Sequence, residues 1–177
     1  MRQNRRTTAA LLTLTAALSL TALAGTSATA APAKKAAAPA ACTAATTKVT
    51  VKKVDRPVNH LLLTAKNTGT KTCVAYNAPF LRFDQAQSAT RVLDASVPQA
   101  VVTLKPGQSA YAAIGTSSPE GTGGHQAKNL GVLFSNRAMT GGAGSTTYPK
   151  LPAGGVYVDS SAFVTYWQST AADALKW

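Results

Sequence analysis

Asn59-His60-Leu61-Leu62-Leu63-Thr64-Ala65-Lys66-Asn67-Thr68-Gly69 is the stretch that decides the fold. In an extended chain Leu61, Leu63 and Ala65 share one side and His60, Leu62 and Thr64 the other, and Asn67-Thr68-Gly69 supplies turn chemistry where the alternation stops. Residues 59–66 therefore read as a central strand. Upstream, Thr47 to Val54 sets Val49 and Val51 against Thr50 and Lys52, the pattern of an outer strand.

Working outward, Thr72 to Tyr76 and Pro79 to Phe83 are two further strand candidates, followed by a turn over Asp84 to Ser88. Ala100 to Leu104 and Ser109 to Ile114 flank Lys105-Pro106-Gly107-Gln108. Proline presets the first turning position and glycine accepts a positive φ at the second, so this segment predicts a hairpin. Leu130 to Phe134 and Ala162 to Trp167 alternate as late core strands. No segment of ten or more residues beyond the leader keeps a helical apolar period, apart from a terminal turn at Ala171 to Leu175. Eight or nine short strands predict an all-β domain, an antiparallel β-sandwich ahead of a barrel. Two polar stretches, Gly115 to Gln126 and Ala138 to Gly155, read as long loops, the places where a rigid sandwich carries binding.

The N-terminus has the order of a secretory signal: Arg2, Arg5 and Arg6, an apolar stretch from Ala9 to Leu23, then small residues ending in Ala28-Thr29-Ala30. Cleavage is expected between Ala30 and Ala31. The apolar stretch is shorter than the roughly 20 residues that span a bilayer, and Thr26 stands where a lipoprotein would need cysteine, so release without stable membrane insertion is expected. Residues 31–41 are almost all Ala and Pro with Lys34 and Lys35, the composition of a disordered linker. The predicted organisation is thus a signal peptide at 1–30, a linker at 31–41 and a β-sandwich domain at 42–177.

Cys42 and Cys73 are the only cysteines. In a chain bound for an oxidising compartment they predict a structural disulfide, with two free thiols or an intermolecular bridge as alternatives. The formal charge of the whole chain is +12, from 18 basic and 6 acidic residues. It falls to about +9 without the leader, and the basic residues are spread along the chain. Spread charge favours weak attraction to polyanions over a shaped nucleic-acid site, and no nucleic-acid partner is expected.

Four segments occur in an order that carries a resemblance: Cys42-Thr43-Ala44, Asn67-Thr68-Gly69-Thr70-Lys71-Thr72-Cys73, Leu104-Lys105-Pro106-Gly107-Gln108-Ser109-Ala110, and Phe163-Val164-Thr165-Tyr166-Trp167. Over most of residues 42–177 the chain resembles the secreted actinobacterial domain of unknown function 4232 family. That resemblance implies an Ig-like β-sandwich exported beyond the membrane, and no established activity. The second cysteine pair of many relatives is missing here, which leaves the later loops to be held by packing alone.

Candidate chemistry is sparse. The six carboxylates, Asp55, Asp84, Asp94, Glu120, Asp159 and Asp173, fall mostly in turns or polar flanks. His60 reads as a surface strand residue and His125 as an exposed loop imidazole, and neither has metal-ligand spacing with a partner. No Gly-x-Ser-x-Gly elbow, Ser-x-x-Lys motif or phosphate-binding loop is present, so no catalytic residue, metal or cofactor is expected. Tyr148, Tyr157, Tyr166, Trp167 and Trp177 offer an aromatic platform for a glycan or peptide. The plainer reading puts Trp167 and Tyr157 in the core and leaves Trp177 either docked or exposed. These features predict a non-catalytic extracellular or wall-associated binding or accessory module whose partner is an anionic cell-wall polymer or another exported protein. A secreted hydrolase assembled only in three dimensions, which needs two of the carboxylates and histidines within reach inside one cleft, and a protease inhibitor are the alternatives.

Overall fold

The computed structural model describes residues 39–177. The expected signal peptide, its Ala30–Ala31 cleavage site and most of the linker lie outside the described residues. Twelve strands, one 3₁₀ turn (Asp94–Ser96) and one short helix, α1 (Ala171–Ala174), make up the domain. The helix falls on the expected terminal turn. Among the described residues no helix is long and apolar enough to cross a membrane.

The stretch around Leu61 forms β2 (His60–Asn67), inside a five-stranded sheet. β1 (Thr47–Lys53) is its outer neighbour, as the Val/Thr pattern predicts. On the other side lie β7 (Ser109–Gly115), β12 (Phe163–Val164) and β5 (Arg91–Val92), in that order. Leu61 pairs with Ile114, Leu63 with Ala112 and Ala65 with Ala110, and all six are buried. The pairs are antiparallel except β12 with β5, which run parallel.

A second sheet contains β4 (Phe80–Phe83), β9 (Leu130–Ser135) and β10 (Gly142–Thr147), with β9 in the middle. Leu81 and Phe83 on β4 and Leu130, Val132 and Phe134 on β9 turn inward and share one apolar core with the inner residues of β2, β7 and β12. That shared core is the expected sandwich. Trp167 fills its middle, 1% exposed and stacked on Phe134 at 5.5 Å between ring centroids. Two ribbons complete the domain: β3 (Cys73–Ala75) with β6 (Val102–Leu104), and β8 (His125–Ala127) with β11 (Val156–Val158). Cys42 and Cys73 form the disulfide, tying β3 to the chain just before β1. Closing a loop of 31 residues is worth about 3 to 4 kcal/mol in the chain-entropy account.

Several expectations are corrected. The turn at Lys105 to Gln108 is present, with Gly107 at φ +84° and the Gln108 amide donating to the Lys105 carbonyl at 3.0 Å. Its flanks do not form a hairpin. β6 pairs with β3 and β7 with β2, so the turn carries the chain from one sheet to another. A Pro-Gly turn of this hand splays its flanking strands instead of matching their twist, and Asn67 fixes the exit. Its buried side chain donates to the carbonyls of Leu104 and Lys71, both at 2.9 Å, and accepts from the Gly69 amide. Its main chain pairs with Gly107 and Gln108.

The late strand at 162–167 is regular only at Phe163–Val164. Val164 pairs with Ile114 and Gln168 with Tyr111, a step of four residues against three, so one residue is extra and the strand bulges. The Thr165 hydroxyl fills the gap by accepting from the Ala113 amide at 3.0 Å. The two stretches read as loops contain strand: β8 begins at His125, and β10 crosses the middle of the second. Finally, the linker gives way to ordered chain before residue 42. Ala40 accepts from the Val74 amide, Ala41 bridges to Val74, and the Tyr76 hydroxyl donates to the Pro39 carbonyl.

Candidate functional site

Because Val49 and Val51 pack on the core, Lys48, Thr50 and Lys52 on β1 must point outward. Their partners across β2 are Lys66, Thr64 and Leu62. On the far side Val164 is in the core and Val92 packs against it, which turns Phe163 and Arg91 outward. The Arg91 guanidinium lies over the Phe163 ring, 5.9 Å from its centroid. The outer face of the five-stranded sheet thus carries Lys48, Lys52, Lys66 and Arg91. No strand among the described residues contains a carboxylate. All six carboxylates sit in turns, loops or α1, where the sequence places them.

Most basic residues remain spread over the domain, but four of them share this face. Strand pairing brings together lysines that are 18 positions apart in sequence, and Lys48 stands directly opposite Lys66. Like charges in that position destabilise a sheet. Lysines on an edge strand serve to block pairing with other chains, which accounts for β1. Lys66 lies on an interior strand and has no such role.

His60 shares this face but is not a simple surface residue. Its Nδ1 lies 2.7 Å from the Val58 carbonyl and its ring meets Phe163 edge-on at 5.6 Å. Nε2 is buried without a partner. Gly115 makes room for this packing, since a Cβ there would run into the Phe163 ring.

His125 and Asp84 do meet, correcting the expectation of a mobile loop imidazole. His125 lies on β8 and its Nε2 is 3.3 Å from Asp84 Oδ2. Asp84 also accepts from the main-chain amides of Lys128 and Asn129 and from the Asn129 side chain. Burial works to raise the Asp84 pKa, but these hydrogen bonds outweigh it and hold the carboxyl below its ordinary value. A carboxylate committed to three amide donors is a loop anchor before it is a general base. Asp159 plays a similar part, its pKa lowered chiefly by the Ser161 hydroxyl, then by the amides of Ser161 and Ser118 against a smaller desolvation penalty. Asp173 pairs with Lys176 and caps α1 with Thr170. The structure brings together one pair of the expected acid/base candidates, Asp84 with His125. The Asp55, Asp94 and Glu120 carboxylates join none of these contacts.

The aromatic candidates divide. Trp167 is in the core as the plainer reading has it, and Tyr166 is half-buried. Tyr157 is 52% exposed, not in the core, because β11 is a short ribbon strand whose middle residue points away from the buried Val158. Trp177, 41% exposed, lines a groove of about 630 Å³ with Val97 and Val101. Tyr148 is the most exposed of these aromatics, at 70%.

A family model described as a domain of unknown function (DUF4232) matches residues 42–168. No curated protein and no solved structure matches the chain.

Proposed function

The chain belongs to the family described as a domain of unknown function (DUF4232), and for this member we propose a secreted, non-catalytic binding or accessory module that engages anionic wall polymers through the outer face of its five-stranded sheet. One observation carries the reading: Lys66 faces Lys48 across an antiparallel pair, on a sheet whose strands hold no carboxylate. A repulsion built into the free protein is relieved when a polyanion lies across both ammonium groups. The outward Lys52 and Arg91 extend the same field across the sheet, and a face of one sign attracts flexible polyanions without needing a shaped pocket. The disulfide and an export leader fit an extracellular site of action.

Co-sedimentation with purified wall material across a salt series tests this. Binding is expected at low salt and is expected to fade as added salt screens the face. Wall stripped of its anionic polymers should lose the salt-sensitive part of the binding. Absence of binding at low salt, where attraction is greatest, would end the proposal.

The enzymatic alternative has one geometric point in its favour, the Asp84–His125 contact. A hydrolytic activity on wall material that disappears in His125→Ala would replace the binding reading.

A further inference from the structure

The outer face of the three-stranded sheet is built differently and holds a feature that charge attraction does not explain. Between β4, β9 and the 84–89 turn lies a groove of about 600 Å³, and beside it, bordered by residues 149–155, lies a second of about 460 Å³. Asn129 and Tyr148 line both, so the two form one trough that crosses the Tyr148 side chain. Tyr148 follows β10 directly, and its Cε1 comes within 3.4 Å of the point where a Cβ on Gly131 would stand. A side chain at 131 would crowd Thr146 Cγ2 at 3.2 Å and touch the edge of the ring, so glycine leaves both room against the sheet. Planar polar groups line the trough with the ring: Arg82, Gln85 and Gln87 in the first groove, with Asn129 shared by both. Lys150 borders the second. The carboxylate in the wall, Asp84, is held by main-chain amides at its back.

We propose that this trough binds an extended glycan chain, one sugar ring lying on the face of Tyr148 and its neighbours occupying the groove to either side. A pyranose has an apolar C–H face and a rim of hydroxyls, and the trough answers with an aromatic face and a rim of amide and guanidinium groups. A peptide added as a strand would need a free main-chain edge, whereas these grooves lie across the face of the sheet. The site is on a different sheet from the lysine face and does not rest on the polyanion reading.

The probes are neutral linear hexasaccharides, cellohexaose, chitohexaose and maltohexaose, with the matching monosaccharides and inorganic polyphosphate as further arms, measured by calorimetry on the full protein. At least one hexasaccharide is expected to bind with little dependence on salt, and its monosaccharide far more weakly. Tyr148→Ala should weaken that binding about tenfold, while Lys66→Gln leaves it unchanged. The ring is mostly solvent-exposed, so the Ala variant should keep the parent's thermal midpoint. Gly131→Ala is the second variant: its Cβ would stand 3.2 Å from Thr146 Cγ2 and 3.4 Å from the tyrosine ring, so binding should weaken although no polar group is lost. Failure of all three hexasaccharides, an undiminished affinity in Tyr148→Ala, or binding of polyphosphate alone that depends on Tyr148 would each overturn the proposal. Because the expected binding resists salt, losing it leaves the salt-sensitive polyanion reading standing, and the reverse holds too.

Discussion

On the outer face of the five-stranded sheet the solvent-facing side chains are held by the strands that carry them, whereas the outer face of the three-stranded sheet is shaped by side chains reaching in from loops. Three strands of the first sheet, β1, β2 and β7, are seven or eight residues long and pair in unbroken register. It presents an open display of charge. The second has a four-residue β4 and a β10 whose register breaks between Ala143 and Thr147. Asp84, in the wall of its groove, grips residues 128 and 129, and Asn77 ties the far end of β9 by donating to the Asn136 carbonyl at 2.9 Å. A display of charge needs only alternation and register. A shaped trough needs anchors, and anchors can be removed one at a time.

The deepest break is Asn67→Ala, because Asn67 ties β2 to the turn that leads into β7. It would strip partners from two carbonyls and an amide around a fully buried position. The expected cost is about 3 kcal/mol, read by urea or thermal unfolding. Both outer faces depend on that frame. A cost near zero would mean the crossing turn is held by something other than Asn67.

Asp84→Ala should be milder, about 1 to 2 kcal/mol, and selective. It loosens the trough and leaves binding by the lysine face intact. The same anchor gives a pH signature. The folded-state pKa of Asp84 lies below its ordinary value of 3.8. The carboxylate's contribution is therefore fully present above that value and is lost as pH falls through the depressed folded value. Acid titration of stability should show a steeper loss below about pH 4 in the parent than in Asp84→Asn. Equal slopes would remove Asp84 from its anchoring role.

These two sheets were not equally legible in the sequence. Leu61, Leu63 and Ala65 alternate cleanly because β2 has one buried and one open face, and Leu130, Val132 and Phe134 do the same. β10 reads Gly-Ala-Gly-Ser-Thr-Thr, with no apolar period, since it is an edge strand with most residues exposed. Gly142 is there because Leu133 occupies the space a Cβ would take, and Gly144, at φ +77°, sits where the register slips. A close approach and a bulge thus look, in sequence, like a flexible loop. The Pro-Gly turn shows the opposite failing. Its local chemistry is plain, but which sheet each flank joins is decided by Asn67, far off in sequence. The same holds for both sites. Lysines can be counted in a sequence, but that Lys66 faces Lys48 follows from register. Arg82, Gly131 and Tyr148 become neighbours only when β4, β9 and β10 are laid side by side.

Lys66→Glu carries a smaller expected stability change than Asn67→Ala or Asp84→Ala and the most direct test of the central claim. Reversing one charge turns a repulsive cross-strand pair into an attractive one, so the free protein should gain about 0.2 to 1 kcal/mol. The same substitution should weaken low-salt binding to anionic wall polymer about tenfold, equivalent to about 1.4 kcal/mol. Stability rising while binding falls is the predicted result. Binding that is unchanged in Lys66→Glu, with the fold intact, would contradict the account.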